Sequence, residues 1–267
     1  IGHNALADLT SGQASTGIGY RALGDVTTGD RNTAVGYAVL DGVTTGNDNT
    51  ALGWGAGGSS SNTTGTNNTF IGSSAGNQII NKNDNTFVGY RAGETNRAGA
   101  SSTIIGSHAG YTPQGATYSG SNNLFAGYGA ALNTGGDNNV ILGAYAGYYT
   151  TGSYNTFVGA SAGQGGTTSA PFSSGQYNTA LGYRALKNFQ TGGDLIAIGQ
   201  NAMFNVTTAS NNMAIGALAL YSITTGGNTY DLAIGNYALQ HYSSPATGNG
   251  QNTIVGHQAG KGSSGNT

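Results

Sequence analysis

Apolar and polar positions along the chain fall into one short phrase that keeps returning. Its clearest copy is Asn32–Gly46: a polar pair, Asn32 and Thr33; two apolar residues, Ala34 and Val35; then Gly36, Tyr37, an apolar run to Leu40 and a Thr44-Thr45-Gly46 close. The apolar–glycine pair marks fifteen copies, with anchor glycines from Gly2 to Gly256. Seven of the fourteen spacings between them are 17 residues, and the others are 16, 19, 21 or 23. So short a period predicts a solenoid, whose single repeats cannot bury an apolar face until copies stack. The whole of 1–267 reads as one array, all-β, a parallel β-solenoid of about fifteen coils of ~17 residues. At ~4.8 Å per coil it would be a rod on the order of 70 Å long.

Aligned copies assign a role to each column. Before the glycine stand threonine (Thr33, Thr50, Thr69, Thr86, Thr156, Thr179), then Ala, Phe or Ile, then a branched aliphatic, which together predict a short strand. Alternation puts the middle column on one face and its neighbours on the other. The residue four after the glycine identifies the inner face, because its size trades against the middle column. Ala34 stands with Leu40 and Ala180 with Leu186, whereas Phe87 stands with Gly93 and Phe157 with Gly163; Ala51 with Gly57 is the exception. Reciprocal volume is what close packing demands of two side chains that share one space. The remaining apolar column then faces outwards: Ile18, Val35, Leu52, Ile71, Val88, Ile105, Leu142, Val158, Leu181, Ile198, Ile215, Ile234 and Val255. Such a stripe predicts a surface buried between chains.

The rest of each copy reads as corners and a variable arm. Alanine follows three after the glycine in fourteen of fifteen copies, which fits a close backbone approach. Thr-Thr-Gly phrases read as turns. Asparagines before the strand, from Asn32 to Asn252, predict a stacked amide ladder. Calcium does not fit, since the chain has one glutamate and lacks an Asp-bearing nonapeptide. Insertions collect in the arm, and the three longest, Tyr111–Asn123, Gln164–Asn178 and Gln240–Asn252, hold all three prolines, Pro113, Pro171 and Pro245. They predict loops along one edge bearing Tyr111, Tyr118, Phe172, Tyr177, His241 and Tyr242, open to two readings: ligand recognition, or tolerated drift.

The column after the glycine carries Tyr20, Tyr37, Trp54, Tyr90, Tyr128 and Tyr183, with His3 and His257. It reads as a stacked aromatic ladder that stiffens a corner, or as a platform for sugar rings with arginines 21, 91 and 184 beside their tyrosines. Catalysis finds no support. His3, His108, His241 and His257 are scattered, Glu94 is the only glutamate, and no nucleophile–base pair recurs.

Composition narrows the class. Charged residues make up only 7% against 37% hydrophobic in fixed columns, which argues against disorder. A net charge of −2 offers no attraction to nucleic acid. No run is apolar enough for membrane insertion, and there are no cysteines. No cofactor or metal is expected. Ile1-Gly2 starts within a copy and Asn266-Thr267 opens another, so the chain reads as a fragment of a longer fibrous protein.

Asn32–Leu40, Asn178–Leu186 and Asn252–Gly256 resemble the N-S-V-A-I-G head repeats of trimeric autotransporter adhesins. They are more similar still to the N-T-A-[IV]-G-Y-x-A-L repeats of phage tail fibres and related bacterial surface proteins. The resemblance spans essentially the full length, and the sequence departs from the head repeats in Thr for Ser and a longer arm. It implies a left-handed β-roll and a homotrimer whose stripes meet on the three-fold axis. It also implies an extracellular location, on a virion tail fibre or a bacterial cell surface. The expected function is a non-enzymatic structural and adhesive fibre segment that attaches to a cell surface, its partner a glycan or receptor. An ice- or surface-binding solenoid using its Thr-rich arm is the alternative. A carbohydrate-degrading solenoid would need paired carboxylates that the sequence does not place.

Overall fold

A computed structural model describes residues 1–58, 64–79, 81–95, 99–112, 120–133, 135–166, 173–223, 230–242 and 251–262, with the backbone alone at Tyr242. The chain is an all-β parallel solenoid that divides into two compact units, Ile1–Asn133 and Thr134–Thr267. The first unit carries β1 (Thr16–Ile18), β2 (Thr33–Val35), β3 (Thr50–Leu52), β4 (Thr69–Ile71), β5 (Thr86–Val88), β6 (Thr103–Ile105) and β7 (Leu124–Ala126). Each pairs in parallel with the next, column on column: Thr16 beside Thr33, Gly17 beside Ala34, Ile18 beside Val35. In the second unit β8 (Val140–Leu142), β9 (Thr156–Val158), β10 (Thr179–Leu181), β11 (Ile196–Ile198) and β12 (Met213–Ile215) stack in the same way. From β12 the ladder continues to β14 (Leu232–Ile234) and β16 (Thr253–Val255). The two-residue strands β13 (Ser222–Ile223) and β15 (His241–Tyr242) pair separately.

Turns recur at fixed offsets from the anchor glycine, and backbone conformation dictates their residues. The anchor glycines hold φ between +123° and +141°, a region that side chains exclude. Close approach adds a second reason, since a Cβ on Gly182 would lie 2.8 Å from the Gly199 carbonyl oxygen of the next coil. Left-handed residues recur two and four after the anchor, as at Arg21 (φ 53°) and Leu23 (φ 56°), and five before it, as at Arg31 (φ 55°). The left-handed turn costs a leucine ~1–2 kcal/mol. Complete burial of Leu23, Leu40 and Leu186 returns roughly 1.5–3 kcal/mol each, so burial wins there. Where the strand supplies the bulk instead, the fourth column is glycine or, at Ala131, alanine; glycine meets the same φ at almost no cost.

The middle column is buried in every strand from β1 to β12 and in β14, with both neighbours turned outwards. It meets the fourth column inside the coil: a Cβ on Gly93 would strike the Phe87 ring, and one on Gly147 would lie 2.6 Å from Ile141 Cδ1. The exception at Ala51 and Gly57 is filled from neighbouring coils, since a Cβ on Gly57 would sit 2.5 Å from Leu40 Cδ2 and 2.6 Å from Phe70 Cδ2. The alanine column is buried as well, from Ala22 to Ala238.

A further inward column lies seven after the anchor. Val26, Val43, Ile79, Phe189, Val206 and Ile223 are buried there and form another wall of the core. The Phe189 ring meets Phe157 of the preceding coil at 5.6 Å. At the last corner runs the amide ladder. Asn49 donates from its backbone N–H and its side-chain amide to Asn32 Oδ1 at 3.0 and 3.1 Å, and that amide also donates to the Gly65 carbonyl. Asn68 and Asn85 repeat the link to the asparagine before them. Ser102 continues the chain of bonds with its hydroxyl. These bonds satisfy polar groups at a corner that is otherwise buried.

Candidate functional site

Alternation along a three-residue strand leaves two columns facing out, and these with their flanks are the principal candidate surface. On the aliphatic column, Ile18 is 43% exposed, Leu52 49%, Leu181 47% and Val255 65%. Val35, Val88, Leu142, Val158, Ile198, Ile215 and Ile234 beside them are half-buried. The threonines three before the anchor form the parallel column. Thr16, Thr33, Thr50, Thr69, Thr86 and Thr103 stand in register on β1 to β6, and their hydroxyls make no hydrogen bond among the described residues. On β11, β12 and β14 this position turns aliphatic. Ile196, Met213 and Leu232 line an open groove of about 390 Å³, with Asp194, Asn211 and Tyr230 at its rim.

The column after the anchor is a true stack only at its start. His3, Tyr20, Tyr37 and Trp54 lie nearly parallel, with ring centroids 5.6, 5.0 and 6.2 Å apart. Each inner ring therefore covers its neighbours' faces and offers only an edge outwards. A sugar needs a free ring face, so this run is a poor platform for one. Tyr90 and Tyr128 instead take His108 between them, at 5.1 and 6.1 Å. The arginines differ too. Arg184 lies over Tyr183 at 4.8 Å, and Arg91 lies nearer Tyr111 (4.8 Å) than Tyr90 (5.8 Å). Arg21 turns away from Tyr20 to Asp41, 3.1 Å distant.

Electrostatics adds little chemistry. Burial pushes the Asp41 carboxyl up in spite of the Arg21 guanidinium beside it. Two hydrogen bonds from Arg31, at 2.6 and 2.8 Å, hold the exposed Asp48 carboxyl below its ordinary range. Arg91 pairs with Glu94. His108 Nδ1 lies 2.9 Å from Ser107 Oγ, while His241 and His257 pack edge-on against Tyr221 and Tyr237. None of these histidines meets a carboxylate, and no three acidic, histidine or cysteine side chains gather to hold a metal, among the described residues.

The loop residues are not brought together where they are described. Tyr111 is half-buried against His108 and Arg91. Tyr177 stands at the left-handed corner five before its anchor, stacked on Tyr154 at 5.0 Å, and His241 belongs to β15. Tyr118 and Phe172 lie outside the described residues, as do the three prolines and the side chain of Tyr242. In the Thr-rich arm one column of hydroxyls is committed to the neighbouring coil, Thr10 donating to the Thr27 carbonyl, Thr27 to Thr44 and Thr151 to Ser173, while Thr28 and Thr45 are exposed. No helix among the described residues is long and apolar enough to cross a membrane.

The corner stack of Tyr154 and Tyr177 and the aliphatic groove were not evident from the repeat alone. The groove was nevertheless written in the switch from threonine to Ile196, Met213 and Leu232. No family model, no curated protein and no solved structure matches the chain.

Proposed function

We propose that this chain is a structural and adhesive segment of a fibre, non-enzymatic and extracellular, that assembles as a homotrimer through its aliphatic stripe. The tail fibre of a phage or the surface adhesin of a bacterium is the setting its repeats resemble. The carrying observation is the exposed column itself: large aliphatic side chains such as Ile18, Leu52 and Leu181 stand out from a rigid hydrogen-bonded ladder. A regular apolar surface of this kind marks an interface. Attachment to a surface glycan or receptor falls to the inserted arm loops. Light scattering of the full chain at micromolar concentration should give three times the chain mass. A well-folded monomer at that concentration would end this reading.

A second reading has one observation in its favour. The hydroxyls of the six in-register threonines of β1 to β6 have no partner among the described residues and stand beside an aliphatic column, a regular face for ordering water. An ice-binding surface would use that face or the Thr-rich arm, where Thr28 and Thr45 are exposed. Thermal hysteresis of the purified chain separates the two readings.

A further inference from the structure

Two outward-facing positions, exposed or half-buried, flank the stripe in fourteen coils, three before the anchor and one after it, and their sizes trade against each other. In six of these coils a threonine stands with an aromatic ring, as in Thr33 with Tyr37 and Thr50 with Trp54. In three a larger aliphatic stands with a smaller residue, Val140 with Ala144, Met213 with Ala217 and Leu232 with Asn236, and in a fourth Ile196 stands with the long but ringless Gln200. Three coils pair small with small, and only Leu124 with Tyr128 pairs large with large. Inside the coil the same trade arises because two side chains fill one space. Within a chain that cause is absent here, since about 10 Å of strand separates the first position from the anchor glycine alone.

We propose that the two flanks meet between chains: the column before the anchor on one copy packs against the column after the anchor on the next, coil opposite coil. The proposal rests on the reading of the stripe as a seam between copies. Contact between unlike surfaces is heterologous, and it closes into a ring when the rotation allows. Contact of like with like would set threonine on threonine and ring on ring, and would leave the trade without a cause. The groove of about 390 Å³ over Ile196, Met213 and Leu232 then has a definite occupant, the Gln200, Ala217 and Asn236 flank of a second copy. That run carries no ring, so it adds little bulk where Ile196, Met213 and Leu232 already supply it. Conversely, the Tyr20, Tyr37 and Trp54 run faces threonines, whose hydroxyls stand within the same contact.

The native chain has no cysteine, so paired substitutions report without background. Ile196→Cys with Gln200→Cys, in the full chain under mild oxidation, should give covalent trimers on a non-reducing gel. A disulfide needs its two Cα atoms within about 7 Å, so the pair cannot close within one strand. Either single change should stay uncrosslinked, and so should Ile196→Cys with Asn236→Cys, set two coils apart. A size swap gives an independent test. Ala217→Tyr should lower the trimer's dissociation midpoint about tenfold in stability, and adding Met213→Thr should restore it by recreating the threonine–tyrosine pairing found elsewhere. Covalent dimers from a single cysteine, preference for the offset pair, or no rescue by the second change in a chain that scatters light as a trimer would each overturn the pairing and leave the seam standing. A folded monomer would remove the seam itself.

Discussion

At the scale of single residues, the chain is governed by which side of a coil supplies the bulk. Ala180 with Leu186 and Phe157 with Gly163 are two solutions to one volume, both fully buried at the large partner. Ala180→Phe alone should cost ~1–3 kcal/mol by overpacking. Leu186→Gly alone removes a buried side chain and should cost about 3 kcal/mol, eased slightly because position 186 already holds φ 52°. Together they should recover ~0.5–3 kcal/mol of the summed loss in a thermal double-mutant cycle. Strict additivity would mean that the two columns do not share their space. A different residue breaks a rule without evident gain. Asp231 occupies the amide ladder, accepting from Asn252 through Oδ1, while its buried Oδ2 has no partner. Asp231→Asn supplies a donor where the carboxylate has none, and should raise stability by ~1–3 kcal/mol, read as a higher melting temperature.

At the scale of elements, strands and corners were legible because each has a fixed offset from the glycine. The middle and fourth columns, the alanine corner and the asparagine ladder all stand at constant distance from Gly36 and its equivalents. The wall formed by Val26, Phe189 and Ile223 was not legible. It lies where insertions begin, so its phase shifts in the 21-residue coil after Gly106, where Thr112 is buried one step earlier, and its residue type varies, with Thr150 in the position in a 16-residue coil. Hydroxyls there are satisfied by backbone, as when Thr150 donates to the Gly163 carbonyl, and that makes polar residues tolerable inside. Side-chain direction at the flanks was also hidden, since Arg21 chooses between a ring and Asp41 only once coils are stacked. The long arms carry their own prediction. Shortening Gln164–Asn178 to a 17-residue coil should abolish cell attachment while light scattering shows assembly unchanged. Attachment that survives the trimming of all three long arms would leave them as drift.

For the molecule as a whole, the column-by-column register means that its length is a count. Within each unit every described strand presents the same backbone donors and acceptors to the strands beside it, so a whole coil can leave without a strand losing its partner. Excision of residues 90–106 joins Gly89 to Ser107 and sets Phe87 opposite Gly110, the same core solution as before. That shortened chain should keep its circular dichroism and one cooperative melt. Excision of 160–182 instead sets Phe157 opposite Leu186, two large side chains in one space, and should melt lower by ~1–3 kcal/mol. The stacked glycines make such a solenoid a ruler, graduated in coils, that tolerates resetting only at matching marks.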